Sequence, residues 1–175
     1  MDMVEKARVF ATAAHAAVGQ KRKYTGEDYI NHPIEVANIL HQAGYRTDEI
    51  QAAALLHDLQ EDTYITNEFI RKEFGDYVAT LVDGLTNVSR PEDGNRATRK
   101  EIDRKHIAKQ SSMCKTIKLA DIISNSKSIL EHDWEFARVY LKEKMALLWV
   151  LEDGDTRLWE EAYKIVQNGL EQLGG

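Results

Sequence analysis

Apolar residues recur every three or four positions along most of this chain, the spacing of a helix face rather than of a strand. Val4 to Val18 is rich in alanine and predicts a first helix. Gly19 to Asn31 is polar and basic and predicts a loop. Pro33 suits the first turn of a second helix, with Asn31 or His32 near its cap, Ile34 to His41 following and Gly44 ending it. Thr47 or Asp48 caps a third, which runs through Leu55 and Leu56. Thr66 starts the next, Gly75 breaks it, and Asp76 to Val88 reads as helix again. SRPEDGN, Ser89 to Asn95, carries Pro91 and Gly94 and predicts a loop. Thr98 and Glu101 have capping-box spacing at the start of a helix reaching about Gln110. Met113–Leu130, Trp134–Leu151 and Thr156–Leu173 complete the set, with the acidic run Glu152 to Asp155 read as a turn and N-cap. With no strand set, linker or repeat in between, the expectation is a single all-α domain of about eight or nine packed helices.

Composition narrows this picture. A chain of 175 residues is long enough for one real core. No apolar run approaches the roughly 18 residues that span a bilayer, and the N-terminus lacks a signal-peptide pattern, so no membrane is expected. Cys114 is alone, which excludes a disulfide within the chain and fits a reducing cytoplasm. The net charge of −6 argues against a broad nucleic-acid-binding face. It leaves room for an anionic small molecule held by a metal and a few local cations. Nothing in the pattern signals an oligomeric state.

The chemistry concentrates in AALLHDLQEDT, Ala53 to Thr63. On a continuing helix His57 would stack over Glu61, and Asp58 over Asp62. Two acids in a last helical turn are disfavoured by a few tenths to about 1 kcal/mol each, and a cation nearby removes that penalty. The alternative is that Glu61 and Asp62 are solvated or cap the next helix. Two other stretches bear on the choice. YINHP puts His32 just before a helix, and IKLADIISNSKS sets Asp121 among Leu119, Ala120, Ile122 and Ile123, which read as core. A carboxylate so flanked is costly unless it is paired or binds a metal. Asn125 lies one turn on from Asp121 and Ser128 about two, on the same face.

His32, then His57-Asp58, then Asp121 resembles the H…HD…D signature of HD-domain metal-dependent phosphohydrolases. GQKRKYTGEDYINHP, AAALLHDLQEDT, FGDYVATLVDGLT and IKLADIISNS are similar, in order and spacing, to the hydrolase domain of Rel/SpoT proteins, over roughly Phe10 to Leu130. That family's synthetase domain has no room in this length, which makes the chain similar to stand-alone small alarmone hydrolases. The resemblance implies one divalent ion, typically manganese, with His32, His57, Asp58 and Asp121 as ligands. It implies Glu61 and Asp62 as the catalytic acidic pair, with the choice of base between them open. Arg22 and Lys23 match the basic pair that holds the pyrophosphate or stacks on the base. Asn125 and Ser128 match contacts to sugar and phosphate. Lys118 is either structural or a further phosphate contact. The implied reaction removes the 3′-pyrophosphate from guanosine 3′-diphosphate 5′-di- or triphosphate, giving GDP or GTP and pyrophosphate.

The chain departs from that family at several positions. Ile122 stands where a basic residue usually follows the KLAD aspartate, Ser128 where Thr is commoner, and Tyr24-Thr25-Gly26 where Ser-Gly is usual. Ala17 occupies the place of a frequent histidine, and His15, two residues earlier, reads as an ordinary helix residue. Ser89 to Ser112 follows the family only loosely, and with Arg22 to Thr25 it would set base preference. Adenosine alarmones, NADPH and other nucleotides are therefore alternative substrates, and an alarmone-binding module without turnover is the alternative of a different class. Trp134, Trp149 and Trp159 have spacings fit for core or interface packing.

Overall fold

In the computed structural model, which describes residues 1–174, nine helices of eight residues or more account for most of the chain. They are α1 (Met3–Ala17), α2 (Asn31–Gln42), α3 (Asp48–Leu56), α5 (Asn67–Phe74), α6 (Asp76–Leu85), α7 (Arg96–Ala108), α8 (Ser112–His132), α9 (Trp134–Leu148) and α10 (Thr156–Gln172). A short helix, α4 (Leu59–Asp62), follows α3, and a 3-10 turn covers Pro91–Asp93. Among the described residues the fold is all-α, with one isolated antiparallel bridge, Lys21 to Asp28. The residues group into two compact units, Met1–Thr86 and a second beginning at Asn87.

In the first unit α3 is the central element. Every residue from Ile50 to Leu56 is buried, because α1, α2 and α6 all pack against it. Alanines at 52, 53 and 54 leave no bulk and allow that close approach. Phe10 of α1 stacks on Phe69 of α5 with centroids 5.1 Å apart. The Thr66 hydroxyl accepts the Phe69 N–H and caps α5, as its position in the sequence predicts. Gly75 follows with φ 90° and ψ 168°, a conformation open to glycine alone, and turns the chain into α6.

In the second unit α8 is the spine, and α7, α9 and α10 each pack on it. Side-chain oxygens of Asn95, Ser111, Asp133 and Asp155 cap the four helices. A Cβ on Gly169 would stand 2.7 Å from the Leu141 Cδ1, so glycine there sets how near α10 lies to α9. Trp159 packs flat on Tyr163 and donates to the Leu148 carbonyl at 2.8 Å, whereas Trp134 and Trp149 are exposed. Cys114 is buried and outside any disulfide.

Several boundaries differ from the sequence expectation for local reasons. Asn95, not Thr98, caps α7: its carboxamide accepts the Thr98 N–H at 3.0 Å, so Thr98 is the third helical residue. Asn31 and His32 do lie beside the cap of α2, as expected. Ile30 holds the cap position without a side-chain bond, and both residues lie in the first turn. α6 ends at Leu85 rather than Val88, where the Thr86 hydroxyl turns back onto the Val82 carbonyl.

Candidate metal centre

The helix carrying the acidic doublet does not continue evenly into Glu61 and Asp62. α3 ends at Leu56, and α4 begins only at Leu59. The His57 ring lies 2.7 Å, through Nδ1, from the Ala54 carbonyl, the acceptor that the Asp58 N–H would use in a regular helix. That competition bends the chain at His57-Asp58, and the two regular columns expected from helical spacing are replaced by a kinked end. Since a carbonyl can only accept, Nδ1 is the donor, and Nε2 is left to turn its lone pair outward from α3.

His32 comes from the first turn of α2 and is 1% exposed; His57 is 2% exposed. Their rings meet edge to face at 5.3 Å. Asp58 Oδ2 lies 3.0 Å from His57 Nε2 and 3.7 Å from His32 Nε2. One ligand atom from each of the three residues falls within 4.8 Å of the others. A ring lone pair and a carboxylate oxygen repel at 3.0 Å unless a proton or a cation lies between them. Two imidazoles with a carboxylate form a mixed nitrogen and oxygen donor set of the kind that divalent transition metals take. The residues therefore fit a metal ion.

The surroundings fix these ligands. Tyr29 donates its phenol hydrogen to Asp58 Oδ2 at 2.7 Å. The Tyr29 ring also packs against His32 at 6.0 Å and His15 at 4.6 Å. Such outer partners orient metal ligands and hold their tautomers. Asp62, one turn past Asp58, accepts from Gln20 Nε2 at 2.9 Å. The protein packed about its carboxyl and the negative charge of Asp58 raise the Asp62 pKa, against the lowering effect of Gln20. Glu61 is exposed on the same short helix.

The basic loop makes a tight turn, with Arg22 N–H bonded to the Glu27 carbonyl at 2.8 Å and Gly26 N–H to that of Arg22 at 3.0 Å. The Lys23 ammonium lies over its neighbour Tyr24, 4.8 Å from the ring centre. In the second unit Asp121 is 5% exposed, flanked by Leu119, Ala120, Ile122 and Ile123, all fully buried. Its carboxylate is paired with the Lys118 ammonium at 2.8 Å and accepts from Asn125 at 2.7 Å. Lys118 thus has a structural partner, and Ser128 follows Asn125 on the same helix face. The structure brings His32, His57 and Asp58 together; Asp121, Asn125 and Ser128 belong to α8 of the second unit.

Sequence reasoning passed over His15, Gln20 and Tyr29. His15 does follow Ala7 and Ala11 at four-residue spacing on the buried face of α1, and a histidine on a stripe of small core residues was the available signal.

Comparison with known proteins gives one family. The sequence pattern described as "HD domain" matches residues 7–149. A guanosine-3′,5′-bis(diphosphate) 3′-pyrophosphohydrolase from Danio rerio is 42% identical over 106 residues, 59% of this chain and 57% of that protein. A GTP pyrophosphokinase from Streptomyces antibioticus is 36% identical over 127 residues, 72% of this chain and 15% of that one. The chain thus spans less than two thirds of either relative. A solved structure of a metazoan orthologue of SpoT, described as hydrolysing ppGpp, superposes with a TM-score of 0.86 at 28% identity, covering 97% of each chain.

Proposed function

The chain belongs to the HD-domain family, and on that premise we propose that it is a metal-dependent hydrolase removing the 3′-pyrophosphate of guanosine 3′-diphosphate 5′-di- or triphosphate. The observation that carries this reading is the meeting of His32, His57 and Asp58 beside the acids Glu61 and Asp62. The Danio relative and the SpoT orthologue, named for this reaction, support the choice of substrate.

His32, His57 and Asp58 hold the ion, Asp121 serves as the fourth ligand on the family resemblance, and manganese is the ion proposed. When bound, such an ion supplies positive charge toward a phosphate oxygen and makes nearby water more acidic. Glu61 and Asp62 orient the attacking water and accept its proton. Water adds to the phosphorus bonded to the 3′-oxygen, that P–O bond breaks, and the oxygen leaves as a hydroxyl on GDP or GTP, taking up one proton in exchange for the one the acids accept from water. Arg22 and Lys23 hold the pyrophosphate, a planar guanidinium being suited to two phosphate oxygens at once. Asn125 and the Ser128 hydroxyl contact sugar and phosphate. The reaction is assigned to the cytoplasm, in keeping with the single buried thiol of Cys114.

The test is a panel of ppGpp, pppGpp, pppApp and NADPH with Mn²⁺, read by released pyrophosphate or phosphate, with wild type beside His57→Ala. Wild type alone is expected to release pyrophosphate from ppGpp. No release, or equal release by His57→Ala, refutes the reading. Turnover of pppApp or NADPH in place of ppGpp reassigns the substrate.

A further inference from the structure

The geometry points to Gln20, locked in place by His15, as the positioning residue for the Asp62 carboxylate. This rests on the reading of Asp62 as a member of the acidic pair.

The starting point is how α1 ends. Gly19 adopts φ 68°, its N–H bonds to the Ala16 carbonyl at 2.9 Å, and the Gln20 N–H bonds to the His15 carbonyl at 3.0 Å. That pair of bonds is a Schellman termination, which brings the residue just past the glycine against the one five earlier. The pair brought together is usually apolar. Here it is His15 and Gln20, and the contact is a hydrogen bond of 2.7 Å between His15 Nδ1 and Gln20 Oε1.

The donors and acceptors then have a single consistent assignment. Gln20 Nε2 donates to Asp62 Oδ2, so its oxygen faces His15 and can only accept. His15 must therefore carry its hydrogen on Nδ1. Its Nε2 is buried without a hydrogen-bond partner, which a bare lone pair tolerates better than an N–H would. Burial also lowers the His15 pKa, in keeping with a neutral ring. The ring is wedged against Tyr29 at 4.6 Å. A buried, neutral, single-tautomer histidine thus fixes which way the Gln20 amide faces.

Asp62 needs such a partner. It lies on a helix of four residues, with the like charge of Asp58 one turn back. One oxygen held by Gln20 fixes the plane of the carboxylate. The Tyr29 phenol also favours the charged carboxyl, but it is already donating to Asp58, so without Gln20 the plane of the Asp62 carboxylate would be less firmly set for the water it must orient. Gln20 and His15 act through Asp62 and touch no reacting atom.

The test uses Gln20→Leu, His15→Leu and His15→Asn, whose amide nitrogen can stand where Nδ1 stands. Two readouts are taken: kcat and KM for pyrophosphate release, and the pH titration of the Asp62 carboxyl carbon by NMR in metal-free protein. Gln20→Leu and His15→Leu are expected to lower kcat about tenfold, with KM unchanged. Asp62 should titrate at higher pH in both, because the donor that favours its charged form is lost. His15→Asn should restore both values. Unchanged kcat in Gln20→Leu, or unchanged titration of Asp62, overturns the inference. If wild type releases no pyrophosphate, the functional reading fails by itself. The titration then still decides between a positioning contact, which shifts it, and none, which leaves it in place.

Discussion

Replacing Tyr29 with phenylalanine removes one oxygen and leaves the ring. That oxygen donates to Asp58 Oδ2 at 2.7 Å, a short bond to a carboxylate. Charge-assisted bonds of this kind contribute about 1.5–3 kcal/mol. Outer partners of metal ligands cost roughly 10–100-fold in metal affinity when removed, which is about 1.4–2.8 kcal/mol. The two ranges agree. The Asp58 side chain is 19% exposed, so water can take up part of the lost bond and the lower end applies. Mn²⁺ affinity should fall about tenfold, measured by calorimetric titration of metal-free protein. The Tyr29 ring contacts with His15 and His32 need no hydroxyl, so Tm should stay within about 3 °C of wild type. A variant with normal Tm and Mn²⁺ affinity within about twofold of wild type refutes the claim that the phenol orients Asp58.

Asp62→Asn should cut turnover at least about 100-fold while raising, not lowering, Tm in metal-free protein. The stability gain follows because an acid whose pKa is raised by folding is a cost at neutral pH, a cost that fades as pH falls through the raised value. A fall in Tm contradicts it. Lys144, in α9, lies 4.8 Å from the Tyr140 ring centre, and the carboxylates of Asp121 and Glu143 offset its burial only in part. Burial first, and the Lys118 charge second, push its pKa down to about 8 from 10.5. Because the folded value is the lower one, the penalty is full below pH 8 and is relieved as pH rises toward 10.5. Lys144→Met should therefore stabilise the protein at pH 7 by about 1–3 kcal/mol and by less at pH 9.5, as read by urea melts. An equal effect at both pH values contradicts the cause. Gly75→Ala should cost about 1–3 kcal/mol through backbone strain alone, since a Cβ there meets no atom within 4 Å. A Tm equal to wild type refutes that.

Much of the fold was legible because its signals are local. The helix start at Thr66, the Gly75 break and the turn with an N-cap in the Glu152 to Asp155 run each depend on residues within a few positions, and the structure keeps all three. Errors arose where two local signals competed. Thr98 and Glu101 mimic a capping box, yet Asn95 reaches the Thr98 N–H first. The His57-Asp58 doublet looked like two even columns because helical spacing takes no account of a side chain that occupies a backbone carbonyl. The meeting of His32 with the doublet was suggested by motif order. The groups that hold the doublet in place were not. Tyr29 finds its partner 29 residues away, and Gln20 finds Asp62 across 42, separations over which a single sequence has no periodicity to read.

The burial of α3 has a consequence for how the site would fill. His57 sits at the end of a helix whose last seven residues are all core, and His32 is as deeply enclosed. The packing of α3 against α1, α2 and α6 holds the His57 ring without using its metal-facing nitrogen. On the reading of the site as a metal centre, loading should then require no ordering of the chain. A chelator should strip the protein without unfolding it, and a stripped sample should recover its metal within the time of mixing. In a cell, occupancy would track the free concentration of the ion from moment to moment, with no folding step to record which ion was present first.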